Sequence, residues 1–79
     1  MTMEPEPLVL DVREDIGNGR EPFPRIMAAV RSLNPGQALV LIAPFEPRPL
    51  YDVLQAQGFS YTAERTGDGD WHVTFCSRR

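Results

Sequence analysis

From Leu8 onward the period of the apolar positions changes repeatedly, and each change marks a new element. Leu8, Leu10 and Val12 alternate with Val9 and Asp11, the pattern of a strand with one face on a core. Phe23, Ile26, Met27, Val30 and Leu33 then fall on one stripe at helical spacing, with Arg25, Ala28, Arg31 and Ser32 on the other side. Pro22 and Pro24 suit the first turn of that helix, where an N–H has no partner to lose and prolyl φ is already helical. Glu21 precedes them as a cap, and Asn34-Pro35-Gly36 ends the helix. Ala38 to Ala43 is apolar without alternation, as expected of a short strand buried on both faces or lying centrally in a sheet.

Pro44, Pro47 and Pro49 stiffen the connection that follows. Leu50, Val53, Leu54 and Gln57 share one face of a second helix, with Tyr51 at its margin and Gly58 as terminator. Phe59, Tyr61 and Ala63 alternate with Ser60, Thr62 and Glu64 in a third strand, and Trp71, Val73 and Phe75 with His72, Thr74 and Cys76 in a fourth. Thr66-Gly67-Asp68-Gly69-Asp70 between them is hairpin chemistry.

The predicted order is β-α-β-α-β-β. Right-handed crossovers place both helices on one face of the sheet, and the final hairpin makes the sheet mixed. The expected fold is thus an α/β (α+β) two-layer sandwich, with a mixed four-stranded sheet and two helices on one face. Residues 1–7, with Glu4-Pro5-Glu6-Pro7, read as a flexible leader, and residues 8–79 as a single domain. Val9, one alternate set from the second strand, Thr74 and Cys76 would lie on the open sheet face, where a homodimer or a partner protein could dock.

Composition narrows the function. With 79 residues the core is small. The chain has no bilayer-spanning apolar run and no signal-peptide pattern, so it is expected to be cytoplasmic, with no membrane partner. Its lone Cys76 cannot form an internal disulfide, which agrees with a reducing compartment. Net charge is −3, all eight basic residues are arginine, and no aromatics are interleaved among them, which argues against nucleic acid. His72 and Cys76 are about 13 Å apart along one strand, too far to share an ion, and hairpin turns use Asp68 and Asp70 for backbone reasons alone; no metal and no cofactor is expected. One histidine without an evident nucleophile leaves no catalytic triad, so no enzyme is expected.

In sheets with parallel strands, ligands gather beyond the strands' carboxyl ends. Here that edge would hold Arg13, Arg20, Glu21, Phe45, Glu46 and Arg48, the candidate ligand-binding residues. A Glu-Pro-x-Pro repeat begins at Glu4, Glu21 and Glu46, and the last two copies each open a helix. The prolines remove N–H donors there, so a phosphate cradle is not expected.

Leu10-Asp11-Val12-Arg13, Glu21-Pro22, the helix, Pro35-Gly36 and the Leu39 to Ala43 strand together resemble the TusA/SirA family of small sulfur-carrier proteins. The likeness runs without gaps from Gly19 to about Ala43, and the resemblance implies the two-layer fold just derived. Family members carry a Cys-Pro-x-Pro motif at the start of the first helix, whose thiolate accepts persulfide sulfur. Here that cysteine falls at Gly19, its first proline at Arg20, x at Glu21 and the last proline at Pro22, so the nucleophile is absent. The loop after Arg13 is also about two residues longer than the family pattern. The chain is similar to a cysteine-less, uncharacterised branch of that family, without established activity. The expectation is a small non-enzymatic binding or interaction module of unknown ligand. The alternatives are a sulfur-transfer or redox carrier using Cys76, or small-ligand or metal sensing at the strand-end edge.

Overall fold

The structure is a computed structural model and describes residues 6–77; Glu4 and Pro5 of the expected leader, and Arg78 and Arg79, lie outside the described residues. Strand β1 (Leu8–Asp11) runs into a short helix α1 (Arg13–Gly17), followed by α2 (Phe23–Ser32), β2 (Leu39–Ala43), α3 (Arg48–Ala56), β3 (Phe59–Arg65) and β4 (Trp71–Ser77). The sheet order is β1-β2-β4-β3. β1 pairs with β2 in parallel, while β4 pairs antiparallel with both β2 and β3. β3 therefore runs in the same direction as β1 and β2. All three of these strands deliver their carboxyl ends to one edge.

The mixed four-stranded sheet and α+β layering are as predicted, but the described residues form three helices, not two. Residues 13–17, read as a polar loop, form α1, whose N-cap residue Val12 is 1% exposed. A single buried Val12 and a partly buried Ile16, one turn apart, anchor it to the core. A five-residue turn of this kind has too few apolar positions to register as a helical stripe.

The core consists of Val12, Ile26, Val30, Leu39, Leu41, Ala43, Leu50, Tyr51, Leu54, Val73 and Phe75. Leu39 faces Phe75 across the β2–β4 ladder and Leu41 faces Val73, so the buried rows of adjacent strands coincide. On α2 the predicted stripe holds: Ile26 and Val30 are buried, Met27 and Leu33 partly so, and Arg25, Ala28, Arg31 and Ser32 are exposed. Phe23 is the exception, 40% exposed at the helix start.

β2 lies centrally in the sheet, the second of the two settings its apolar run allows: Leu39, Leu41 and Ala43 are buried, while Val40 and Ile42 are partly covered on the face that no described helix covers. Two local readings need correction. Tyr51 is central rather than marginal on α3, buried with Leu50 and Leu54, whereas Gln57 is the exposed C-cap residue. Tyr51 is drawn inward by Tyr61, whose ring stacks on it at 3.8 Å and 9°. Glu21 is not a helix cap either: the N-cap residue is Pro22, with no side-chain cap hydrogen bond. One residue too early in the chain, Glu21 leaves its carboxylate outside the first turn.

The hairpin joining β3 to β4 closes as its residues require. Thr66 donates its N–H to the Asp70 carbonyl at 2.8 Å, and Gly69 adopts φ +91°, a left-handed conformation that glycine takes without steric cost.

Candidate functional site

The carboxyl ends of β1, β2 and β3 meet at one edge, and the structure sorts the six candidate residues there into separate groups. Arg13 belongs to a charge network. Its Nε and Nη2 donate to the Asp11 carboxylate, the latter at 2.7 Å, and its Nη1 donates to Asp70 Oδ2 at 2.7 Å. The guanidinium thus ties the end of β1 to the β3–β4 turn, 57 residues away in sequence. The Arg13 hydrogen bonds, first the side-chain one, hold the Asp11 carboxyl down at about 2, and Arg13 itself is raised by the same contacts. Because the folded value lies below the unfolded one, this stabilisation is present above the ordinary carboxylate range and is lost as pH falls toward about 2. Arg13→Ala should lower the urea midpoint at low salt and neutral pH. The difference should shrink both in 1 M salt and on acidification, since the pair is solvent-exposed. An unchanged difference across that range would remove the electrostatic role.

Glu46 and Arg48 form a second group. Arg48 Nε donates to Glu46 Oε1 at 2.8 Å, and the Tyr51 hydroxyl donates to Glu46 Oε2 at 3.2 Å. The Arg48 guanidinium, with the tyrosine as a lesser cause, holds the Glu46 carboxyl below its usual range. Burial first, and then the bond to Glu46, push the Tyr51 phenol up to about 12. This carboxylate and this arginine are thereby occupied with each other.

Glu21 and Phe45 come together in a different setting, an apolar cleft of about 250 Å³ between the starts of α2 and α3. Its base is made by the buried Val12, Ile26, Leu41, Ala43 and Leu50. Its rim is made by Phe23, Phe45, Pro22, Pro49 and Glu21, with Ile16 of α1 and Pro47 completing the lining. Phe45 is 50% exposed there. The two internal Glu-Pro-x-Pro copies explain why the cleft exists. Both helices have a proline as N-cap residue, Pro22 and Pro47, and a second proline in the first turn. Helix starts ordinarily present free N–H donors. Here proline rings line the cleft instead, so its surface is apolar and suits neither phosphate nor carboxylate.

Arg20 joins none of these groups. Its N–H donates to the Asp15 carbonyl at 2.8 Å, and the exposed side chain has no partner among the described residues. Gly19, beside it, is exposed with φ +73°, so the turn from α1 into α2 uses a backbone conformation that a side-chain-bearing residue adopts with strain. Cys76 is exposed on the open face, opposite Ser60. In the β2–β4 register Ala43 lies opposite Trp71, five residues from Cys76, which places the thiol roughly 17 Å along the strand from the cleft end.

Sequence reasoning missed Ile16, Phe23, Pro47 and Pro49 as lining residues. The Glu-Pro-x-Pro repeat carries the signal for Phe23, Pro47 and Pro49, while nothing in the spacing marks Ile16. Asp70 is missed as a partner of Arg13 because their meeting depends on β3 running parallel to β1, and Asp11, two residues away, reads only as a polar position in an alternating strand.

Among the described residues no helix is long and apolar enough to cross a membrane, and no three His, Cys, Asp or Glu side chains converge as metal ligands. Comparison with curated proteins gave no match, nor did comparison with solved structures. A family model does match, that of an uncharacterized conserved protein (DUF2249), over residues 9–77. The match takes in every residue that lines the cleft, and the chain belongs to the DUF2249 family.

Proposed function

We propose that this chain is a small non-enzymatic binding or interaction module whose site is the apolar cleft at the carboxyl ends of β1 and β2. The observation that carries the reading is the cleft's composition: half-exposed Phe23 and Phe45 stand over a buried apolar base, at the edge where such sheets collect ligands. Two large aromatic faces left in water at one place favour an occupant. The polar candidates around it support the same reading, since Arg13 and Glu46 with Arg48 brace the surrounding loops.

The likeness to TusA/SirA sulfur carriers rests on the sequence motif alone, and helix α1 departs from the β-α-β-α-β-β order that likeness implied. Gly19 stands where those proteins carry the sulfur-accepting cysteine, and its left-handed backbone is suited to glycine rather than to a nucleophile. Sulfur transfer through Cys76 has less support, because that thiol lies on the other face and at the other end of the sheet. A second copy on the open face also has less support: Val9, Val40 and Ile42 share it with Thr62, Glu64, His72 and Thr74.

The test is an amide NMR titration of the whole chain with indole, benzene and cyclohexanol as fragments. Saturable shifts are expected at Val12, Ile16, Phe23, Ala43, Phe45 and Leu50, with dissociation constants on the order of 1 mM or weaker for ligands of this size. Phe45→Ala should weaken them severalfold without unfolding the protein, because that ring is half in water. Absence of shifts at these residues, or shifts centred on Val9 and Val40, would contradict the proposal.

A further inference from the structure

On the reading that the cleft is the binding site, we infer that its occupant is one bulky apolar side chain of a partner protein, adjacent to a lysine or arginine that meets Glu21. Size decides between a whole small molecule and a single anchor. At about 250 Å³ the cleft falls below the roughly 300–1,000 Å³ of sites that engulf a drug-sized ligand, yet it accommodates one ring or branched side chain. Its walls are stiff, because Pro22, Pro47 and Pro49 have fixed φ, so little ordering is needed on docking; such pre-formed pockets are where interface anchors concentrate their effect.

Charge decides the flank. Among the described residues, Glu21 is the only charged one lining the cleft. Unlike Asp11, Asp15, Glu46 and Asp70, it has no ion-pair or hydrogen-bond partner among the described residues. No backbone donor is available from the prolines beside it. An anionic or purely acceptor-bearing neighbour would leave this carboxylate opposed, whereas a cationic neighbour satisfies it at the rim.

The experiment uses the full chain and capped pentapeptides with a central tryptophan flanked either by arginines or by glutamates, together with free indole, all read by amide NMR. The arginine-flanked peptide is expected to shift Ile16, Phe23, Ala43 and Phe45, and to bind about two- to fivefold more tightly than the glutamate-flanked one. Glu21→Gln should erase that preference. Glu64→Gln, which removes the same charge from the open face, should preserve it. Equal binding of the two peptides, or equal loss in both variants, overturns the inference. Shifts in the cleft with indole but with neither peptide overturn it while sparing the binding-site reading. Silence from all three ligands overturns both.

Discussion

Phe75→Ala is expected to lower the stability of this domain by about 3–5 kcal/mol, the usual cost of deleting a fully buried aromatic ring. Phe75 is 1% exposed at the centre of β4, opposite Leu39 on one side and Tyr61 on the other. Its ring also meets Tyr51 at 6.4 Å and Tyr61 at 6.3 Å, both tilted by more than 50°, an edge-oriented arrangement that adds to simple burial. A chain of 79 residues has a total stability of roughly 4–12 kcal/mol from per-residue averages. The loss is therefore a large share of the whole, and at the low end of that range the variant is unfolded at 25 °C. Urea unfolding followed by circular dichroism measures it. Val9→Ala, on the open face and 58% exposed in the parent, should cost less than about 0.5 kcal/mol in the same assay. Similar losses in both variants would mean that the two faces of the sheet are not distinguished by burial as described.

Tyr51→Phe gives the next largest effect, and it depends on pH. The phenol is 7% exposed and sits at about 12 in the folded state, against an ordinary value near 10. Folding therefore opposes its ionisation. The associated stabilisation is complete below about pH 10 and is lost as pH rises from 10 through 12, amounting to roughly 2–3 kcal/mol. At neutral pH the phenylalanine variant should be less stable by about 0.5–1.5 kcal/mol, because Glu46 loses the hydroxyl that donates to it. Above pH 10 the wild-type protein alone carries the alkaline penalty, so the two stabilities should converge and then cross. Urea midpoints from pH 8 to 11.5 decide the matter. A constant gap across that range would show that the Tyr51 hydroxyl titrates as freely when folded as when unfolded.

Much of the fold is written in period and punctuation. The helical stripe ending at Leu33, the alternation in β1 and β4, and the Thr66–Asp70 turn each appear where local physics places them. The readings that failed depended on tertiary partners. Nothing in the spacing of α3 distinguishes Tyr51 from Leu54; its burial follows from the stacked ring of Tyr61 on a neighbouring element. The continuous apolar run of β2 fits a doubly buried strand as well as a central one, and only the strand order, with β1 on one side and β4 on the other, distinguishes them.

The cleft's location was legible in the sequence, but its apolar lining was not. The strand-end edge followed from direction alone, and Glu21 with Phe45 does line a cleft there. The charged residues at the same edge seemed equally exposed as single letters, yet Arg13 is engaged by Asp11 and Asp70, and Glu46 by Arg48 and Tyr51. What they leave between them is apolar. A search confined to charged and nucleophilic residues passes over prolines, although here the proline rings at two helix starts line the cleft.

The cleft itself is most directly tested by intermolecular nuclear Overhauser effects between bound indole and the methyl groups of the folded chain. Cross-peaks from indole protons to Ile16, Leu41 and Leu50, three residues on three different elements that share only this cleft, are the predicted result. Cross-peaks to Val9, Val40 and Ile42 instead would place the ligand on the open sheet face and contradict the account.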